Sequence, residues 1–167
     1  MTRRPLLALL GSFGLVPKIV AAADAPTTSA KPGAARAEPL TLTEAEWKQR
    51  LTLAQFDVLR HAGTERAGTS PLNHEKRKGR YLCVGCSTAL FTSEMKFDSG
   101  TGWPSFHSAL PDALVTSTDF KLILPRTEYH CAHCGGHHGH VFNDGPRPTG
   151  KRYCNNGVAL KFEEVSA

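Results

Sequence analysis

The feature that most constrains this chain is a pair of cysteine knuckles, Cys83-Val84-Gly85-Cys86 and Cys131-Ala132-His133-Cys134. Two Cys-x-x-Cys pairs can present four thiolates tetrahedrally to Zn²⁺, one ion per chain, with no coordination position left open for chemistry. Forty-four residues intervene between Cys86 and Cys131, more than the roughly fifteen to twenty of a minimal zinc ribbon. The knuckles are therefore expected to staple distant parts of one larger fold, in a structural role. Two disulfides are the competing reading for an exported chain, but such closely spaced pairs suit metal or redox chemistry better than ordinary bridges. That leaves the fifth cysteine, Cys154 in Lys151-Arg152-Tyr153-Cys154-Asn155-Asn156, as the candidate for reactivity.

With 167 residues, 40% of them apolar and 21% charged, the chain has the make-up of one ordinary globular domain once its ends are set aside. The net charge of +5 is spread along the sequence, and the one local cluster, His74-Glu75-Lys76-Arg77-Lys78-Gly79-Arg80, has no interleaved aromatic residues. It reads as a solvated loop, and no nucleic-acid partner is expected. Arg3-Arg4, the short apolar stretch from Leu6 to Val16 and a small-residue cleavage site at Ala21-Ala22-Ala23 or Ala23-Asp24-Ala25 read as a cleavable twin-arginine signal over residues 1–25. The general secretory route is the alternative, disfavoured by Lys18 and the low hydrophobicity. The apolar stretch is too short to span a bilayer, so export to a bacterial periplasm without a membrane span is expected. Residues 26–40, with almost no large apolar side chains, read as a flexible linker, and residues 41–167 as the folded domain.

Thr43 with Glu46, and Thr52 with Gln55, have capping-box spacing and predict two short helices, with Trp47 and Leu51, then Leu53, Phe56 and Leu59, on their apolar faces. Gly-, Asn- and Pro-punctuated runs follow. They predict strands over 80–84, 89–92, 114–117, 120–124, 127–131, 140–143, 152–154 and 158–163. With no long helical crossover, the expected fold is mainly β: two antiparallel sheets with short N-terminal helices and a structural four-cysteine zinc site.

A lone cysteine is more often a small buried hydrophobe than a nucleophile, but the neighbours of Cys154 point the other way. Arg152, two residues earlier on a strand, would lie on the same side and favour the thiolate; Asn156, at the next alternate position, can donate an amide N–H to a developing negative oxygen. The run His137-His138-Gly139-His140 offers proton carriers, although solvated loop histidines or a second metal site fit equally well. His130, His133, His74 and His61 read as surface residues, as does His138. Trp103, in a glycine-rich loop, reads either as a core tryptophan or as a site residue.

Between Thr43 and Phe162 the sequence closely resembles the B-type methionine-R-sulfoxide reductases. The resemblance is carried by Lys96-Phe97-Asp98-Ser99-Gly100-Thr101-Gly102-Trp103-Pro104-Ser105-Phe106, by the histidine segment ending His140-Val141-Phe142, and by Asp144-Gly145-Pro146-Arg147-Pro148-Thr149-Gly150-Lys151-Arg152-Tyr153-Cys154. It implies an antiparallel β fold with structural zinc on Cys83, Cys86, Cys131 and Cys134. It further implies Cys154 as nucleophile, His137, His140, Arg152 and Asn156 around it, and Trp103 receiving the substrate methyl group. The implied reaction is reduction of methionine-R-sulfoxide, free or in oxidised proteins, through a sulfenic acid recycled by a thioredoxin-like or other thiol reductant. A monomer is expected. Thr101 stands where many members carry a resolving cysteine, Asn155 and Gly157 replace a commoner apolar residue and serine, and His138 replaces a common leucine. The competing function is a non-enzymatic zinc-knuckle protein that binds an acidic partner or nucleic acid through its basic surface, with Cys154 buried and inert.

Overall fold

The computed structural model describes residues 38–165, so the signal expected over 1–25 and most of the linker expected over 26–40 lie outside the described residues. All described residues belong to one unit, Arg36–Ala167. Helix α1, Glu44–Arg50, starts where the Thr43 hydroxyl accepts the Glu46 N–H and the Glu46 carboxylate accepts the Thr43 N–H at 2.7 Å. Thr52 and Gln55 repeat the exchange at the start of α2, Leu53–His61, so both expected capping boxes form. Trp47, Leu51, Phe56, Val58 and Leu59 are buried, but Leu53 is 86% exposed. A helical side chain leans towards the N-terminus, so at the first position it projects past the packed face.

Among the described residues nine strands follow: β1 Gly79–Cys83, β2 Ala89–Thr92, β3 Lys96–Phe97, β4 Ser105–Phe106, β5 Leu114–Asp119, β6 Arg126–Cys131, β7 His137–Phe142, β8 Arg152–Asn155 and β9 Leu160–Glu164. They form a three-stranded sheet in the order β2-β1-β9 and a six-stranded sheet in the order β3-β4-β8-β7-β6-β5. Every pairing is antiparallel. The sheets meet through aromatic side chains: Phe91 of β2 stacks on Phe106 of β4 at 4.1 Å, and Tyr81 of β1 meets the same ring edge-on at 4.9 Å. All three rings are fully buried, each worth roughly 1.5–3 kcal/mol in area removed from water.

Two corrections to the sequence reading concern strands. The run Phe120-Lys121-Leu122-Ile123-Leu124, expected as a strand with one buried face, is instead the connection between β5 and β6, which pair as far as Asp119↔Arg126. The chain has to reverse there, so the alternating residues find no partner strand, and Phe120, Leu122, Ile123 and Leu124 are all exposed. The last strand starts at Leu160 rather than Val158, after a 3₁₀ turn over Gly157–Ala159. The two-residue strands β3 and β4, which the alternation did not reveal, flank the loop that carries Thr101 and Trp103.

Candidate active site and metal centre

Cys83 ends β1 in the small sheet and Cys131 ends β6 in the large one; Cys86 and Cys134 sit in the turns that follow. Their four sulfurs lie within 4.8 Å of one another, with Cys83 and Cys134 at 3.6 Å and Cys86 and Cys131 at 3.5 Å. A Zn²⁺ ion with Zn–S bonds of ~2.3 Å needs sulfur–sulfur edges of about 3.8 Å, so the set fits a tetrahedral metal with small adjustments. Four thiols this close cannot all ionise without a cation. Hydrogen bonds with its neighbours hold Cys83 far above the ordinary thiol range, while Cys131, favoured by Cys134 and Cys83, falls to about 7.

A second constellation follows from strand register. In the six-stranded sheet Cys154 of β8 lies opposite Ser105 of β4 on one side and His140 of β7 on the other, and His140 in turn lies opposite Glu128 of β6. Residues directly opposite point to one face. A bulge in the β6–β7 pairing gives β7 an extra residue, so His137 joins His140 on that face, with ring centroids 5.5 Å apart, while His138 turns inwards. Gly139 is required here: a Cβ at that position would collide with the Cys154 carbonyl.

Cys154, His140, Asn156 and Trp103 line one pocket with Thr64, Arg126, Gly139, Phe142 and Asn155, and its volume of about 130 Å³ holds a side-chain-sized group rather than a lone water. Arg152 is not on its wall; it reaches Cys154 from beside, its guanidinium held bidentate by Asp144 at 2.8 Å and lying 4.4 Å over the Phe142 ring. His137 is not on the wall either, being 2% exposed and 3.1 Å from Glu128 through Nδ1. Asn156 spends most of its polar capacity on backbone, accepting from the Glu65 N–H at 2.9 Å and donating to the His138 carbonyl at 3.0 Å.

Burial pushes the Cys154 thiol above its ordinary range; the Arg152 charge and the Thr101 hydroxyl pull it down without overcoming that. The thiolate therefore forms mainly above the ordinary value of ~8.5. In the zinc-loaded protein, the rate of Cys154 alkylation is expected to climb with pH along a limb above that value, and Arg152→Ala to displace the limb to higher pH. A pH-independent rate, or a limb that Arg152→Ala leaves in place, would contradict this electrostatic account.

Three residues at this site carried no motif in the sequence reading. Asp119 accepts from His140 Nε2 at 2.8 Å, from the Lys121 N–H at 2.8 Å and from Arg126 at 2.5 Å. The Lys121 and His140 hydrogen bonds, with those to Arg126, hold its carboxyl well below the usual carboxylate range. Glu65 ties the pocket together: its carbonyl accepts the Trp103 indole N–H at 3.1 Å, and its carboxylate accepts the Gly157 and Val158 N–H groups at 2.6 and 2.9 Å. These roles depend on tertiary pairings, and an isolated charged residue gives no local signal of them.

The departures from the family pattern also have local causes. His138, read as a surface residue, is fully buried and stacks at 6.5 Å on Tyr129, whose hydroxyl donates to Asn155 at 2.8 Å. The two polar replacements thus share one buried neighbour. A Cβ at Gly157 would collide with the Ser70 hydroxyl. His61 and His74 are exposed as expected, and His130 and His133 are half-buried.

A family model described as the SelR domain matches residues 51–164, more than half of the chain. The chain belongs to this family. Among curated relatives of this SelR chain, "Peptide methionine sulfoxide reductase B1, chloroplastic" of Oryza sativa subsp. japonica is 51% identical over 126 residues, covering 75% of this chain and 59% of that protein. "Peptide methionine sulfoxide reductase MsrB" of Leptospira interrogans is 48% identical over 123 residues, covering 73% and 94%. "Methionine-R-sulfoxide reductase B3, mitochondrial" of Mus musculus is 47% identical over 124 residues, covering 74% and 49%. This chain spans about three fifths of the length of the plant relatives and most of the bacterial one. The motif resemblance to B-type methionine-R-sulfoxide reductases is thus a resemblance to its own SelR family.

Proposed function

We propose that this chain reduces methionine-R-sulfoxide, in oxidised proteins or as the free amino acid, to methionine. The observation that carries the reading is a single cysteine, Cys154, sharing one small pocket with His140, Asn156 and the Trp103 ring, with Arg152 beside it. In the proposed reaction Cys154 attacks the sulfoxide sulfur as thiolate, the sulfoxide oxygen takes a proton, and oxygen passes to the cysteine. Methionine leaves reduced by two electrons and Cys154 is left oxidised by two, as a sulfenic acid. Two equivalents of an external thiol, one forming a mixed disulfide with loss of water and one displacing it, restore the cysteine.

His140 is the proposed proton carrier and His137 its partner behind the wall. An ionised Asp119 can only accept, so the nitrogen that faces it, Nε2 of His140, carries the hydrogen, and Nδ1 remains for exchange with substrate. Trp103 supplies an apolar wall for the methyl group, while Arg152 and the free amide hydrogen of Asn156 face the polar sulfoxide. Asp119→Asn, which can donate to Nε2 and so favour the wrong tautomer, is expected to lower kcat by about 10²-fold or more with little change in KM. A change confined to KM would remove Asp119 from this role.

The four cysteines are proposed to hold one Zn²⁺ whose role is structural; it ties β1 to β6 and supplies no step of the reaction. Twin-arginine export to a bacterial periplasm, action as a monomer and a thioredoxin-like or other thiol donor complete the proposal. No helix among the described residues is long and apolar enough to cross a membrane. The test is to supply both sulfoxide epimers, free and in a peptide, with a chemical thiol. Consumption of the R epimer alone is expected; consumption of neither contradicts the reading.

A further inference from the structure

A second set of metal-type donors lies on the same face of the large sheet as Cys154. Glu128 and His130 alternate along β6 and so project together, and the bulge in the β6–β7 pairing brings His137 to them. His137 Nδ1 stands 3.1 Å from one Glu128 oxygen and His130 Nε2 stands 3.5 Å from the other. All three donor atoms lie within 4.8 Å of one another. A tetrahedral ion with metal–ligand bonds of ~2.0–2.1 Å has donor–donor edges of about 3.3 Å, so the three donors, one atom from each residue, would draw in from within 4.8 Å to hold it.

The surroundings supply too few protons for these groups. His130 Nδ1 faces the Gly135 carbonyl at 3.3 Å, which makes it the N–H nitrogen and leaves the Nε2 lone pair directed at Glu128. The Ser117 hydroxyl lies 3.0 Å from Glu128 Oε1 and 3.3 Å from His130 Nε2, and its one proton can serve only one of them. His137 is 2% exposed, and although its Nδ1 stands 3.1 Å from Glu128, neither ring nitrogen makes an aligned hydrogen bond. Buried imidazole nitrogens are rarely left in that state. A carboxylate and two imidazoles converge, and a divalent cation would satisfy all three.

We propose that Glu128, His130 and His137 form an exchangeable Zn²⁺ site, distinct from the four-thiolate site, and that its occupation suppresses the reductase. Two imidazoles and a carboxylate suit a borderline ion such as Zn²⁺ rather than Ca²⁺ or Mg²⁺, and three protein ligands leave a fourth position for water. Ions have a path of entry, since the Glu128 and His130 side chains are 18% and 22% exposed. The Gly135 carbonyl and the Ser117 hydroxyl orient the ligands from outside. Bound Zn²⁺ would engage His137 and fix its ring against His140, 5.5 Å away between ring centroids, on the sheet face that carries Cys154. The inhibition rests on the proposed reductase function; the binding does not.

The test begins with full-length protein whose four-thiolate site is already loaded, titrated calorimetrically with Zn²⁺ in buffer free of thiols. A second Zn²⁺ per chain is expected, weakened at least tenfold in His130→Ala while the first zinc, the fold and the basal reductase activity persist. Glu128→Gln should weaken it similarly and serves if His130→Ala fails to fold. Co²⁺ in the second site should give no thiolate charge-transfer band, and Cys154→Ser should bind the second ion normally. A stoichiometry of one, an affinity unchanged by both variants, a second ion lost in Cys154→Ser, or a wild-type reductase activity that filling the second site leaves unchanged overturns the proposal. A second ion that His130→Ala removes, in a protein with no reductase activity, upholds the site and refutes the proposed function instead.

Discussion

Cys154→Ser is expected to reduce turnover to background, a fall of at least about 10⁴-fold, while zinc content is retained and the melting temperature moves by no more than about 4 °C. The asymmetry follows from position. Cys154 is partly buried at a pocket wall, lies outside the four-cysteine cluster, and as serine would keep its shape while losing the polarizable thiolate proposed to attack sulfur. Activity assay, metal analysis and a melting curve on the same preparation check all three. Residual activity above about 1% of wild type would move the nucleophile elsewhere.

Cys131→Ser is expected to have the opposite profile, giving metal-free protein that is insoluble or melts more than about 15 °C lower. Cys131 ends a central strand, is fully buried and stands 3.5 Å from Cys86, so its loss opens the junction between β1 and β6. Structural zinc binding releases about 10–16 kcal/mol in small zinc domains, as much as the whole stability of an ordinary fold, so losing one thiolate ligand removes a large share of the margin. A soluble Cys131→Ser protein with full zinc and a wild-type melting curve would contradict the structural role.

The parts of the fold legible in the sequence were those with local chemistry. Thr43 with Glu46 and Thr52 with Gln55 announce helix starts through contacts three residues apart, and both boxes form. The knuckles announce themselves because few other arrangements suit Cys-x-x-Cys twice, and their sulfurs do converge. Alternation at Phe120–Leu124 misled, since period two marks a strand only where a partner strand exists, and this segment is the turn of the β5–β6 hairpin. The exposure of Phe120, Leu122, Ile123 and Leu124 is its result.

Legibility of the site divides in the same way. Cys154 stood out as the cysteine left over, and Arg152 as its strand neighbour. The opposition of His140 to Cys154 depends on β7–β8 register, and the burial of His138 on a bulge; neither can be read from the run His137-His138-Gly139-His140. Asp119, Arg126 and Glu65 were invisible because each acts through partners many residues away. Tyr129, fully buried, is likewise a common neighbour of His138 and Asn155, two family departures that look unrelated in sequence.

The central claim is that Cys154 alone takes the oxygen from a methionine sulfoxide, and a single turnover without reductant tests it most directly. Thr101 stands beside Cys154 where many family members have a second thiol, and the other four cysteines are gathered in the cluster, so the oxidised cysteine has no thiol partner at hand. One equivalent of the R-sulfoxide added to reduced, zinc-loaded protein should release one methionine, add a single oxygen to the Cys154 peptide, consume one thiol and leave the zinc bound. Methionine released without oxidation of Cys154, or two thiols consumed with loss of zinc, would contradict the account.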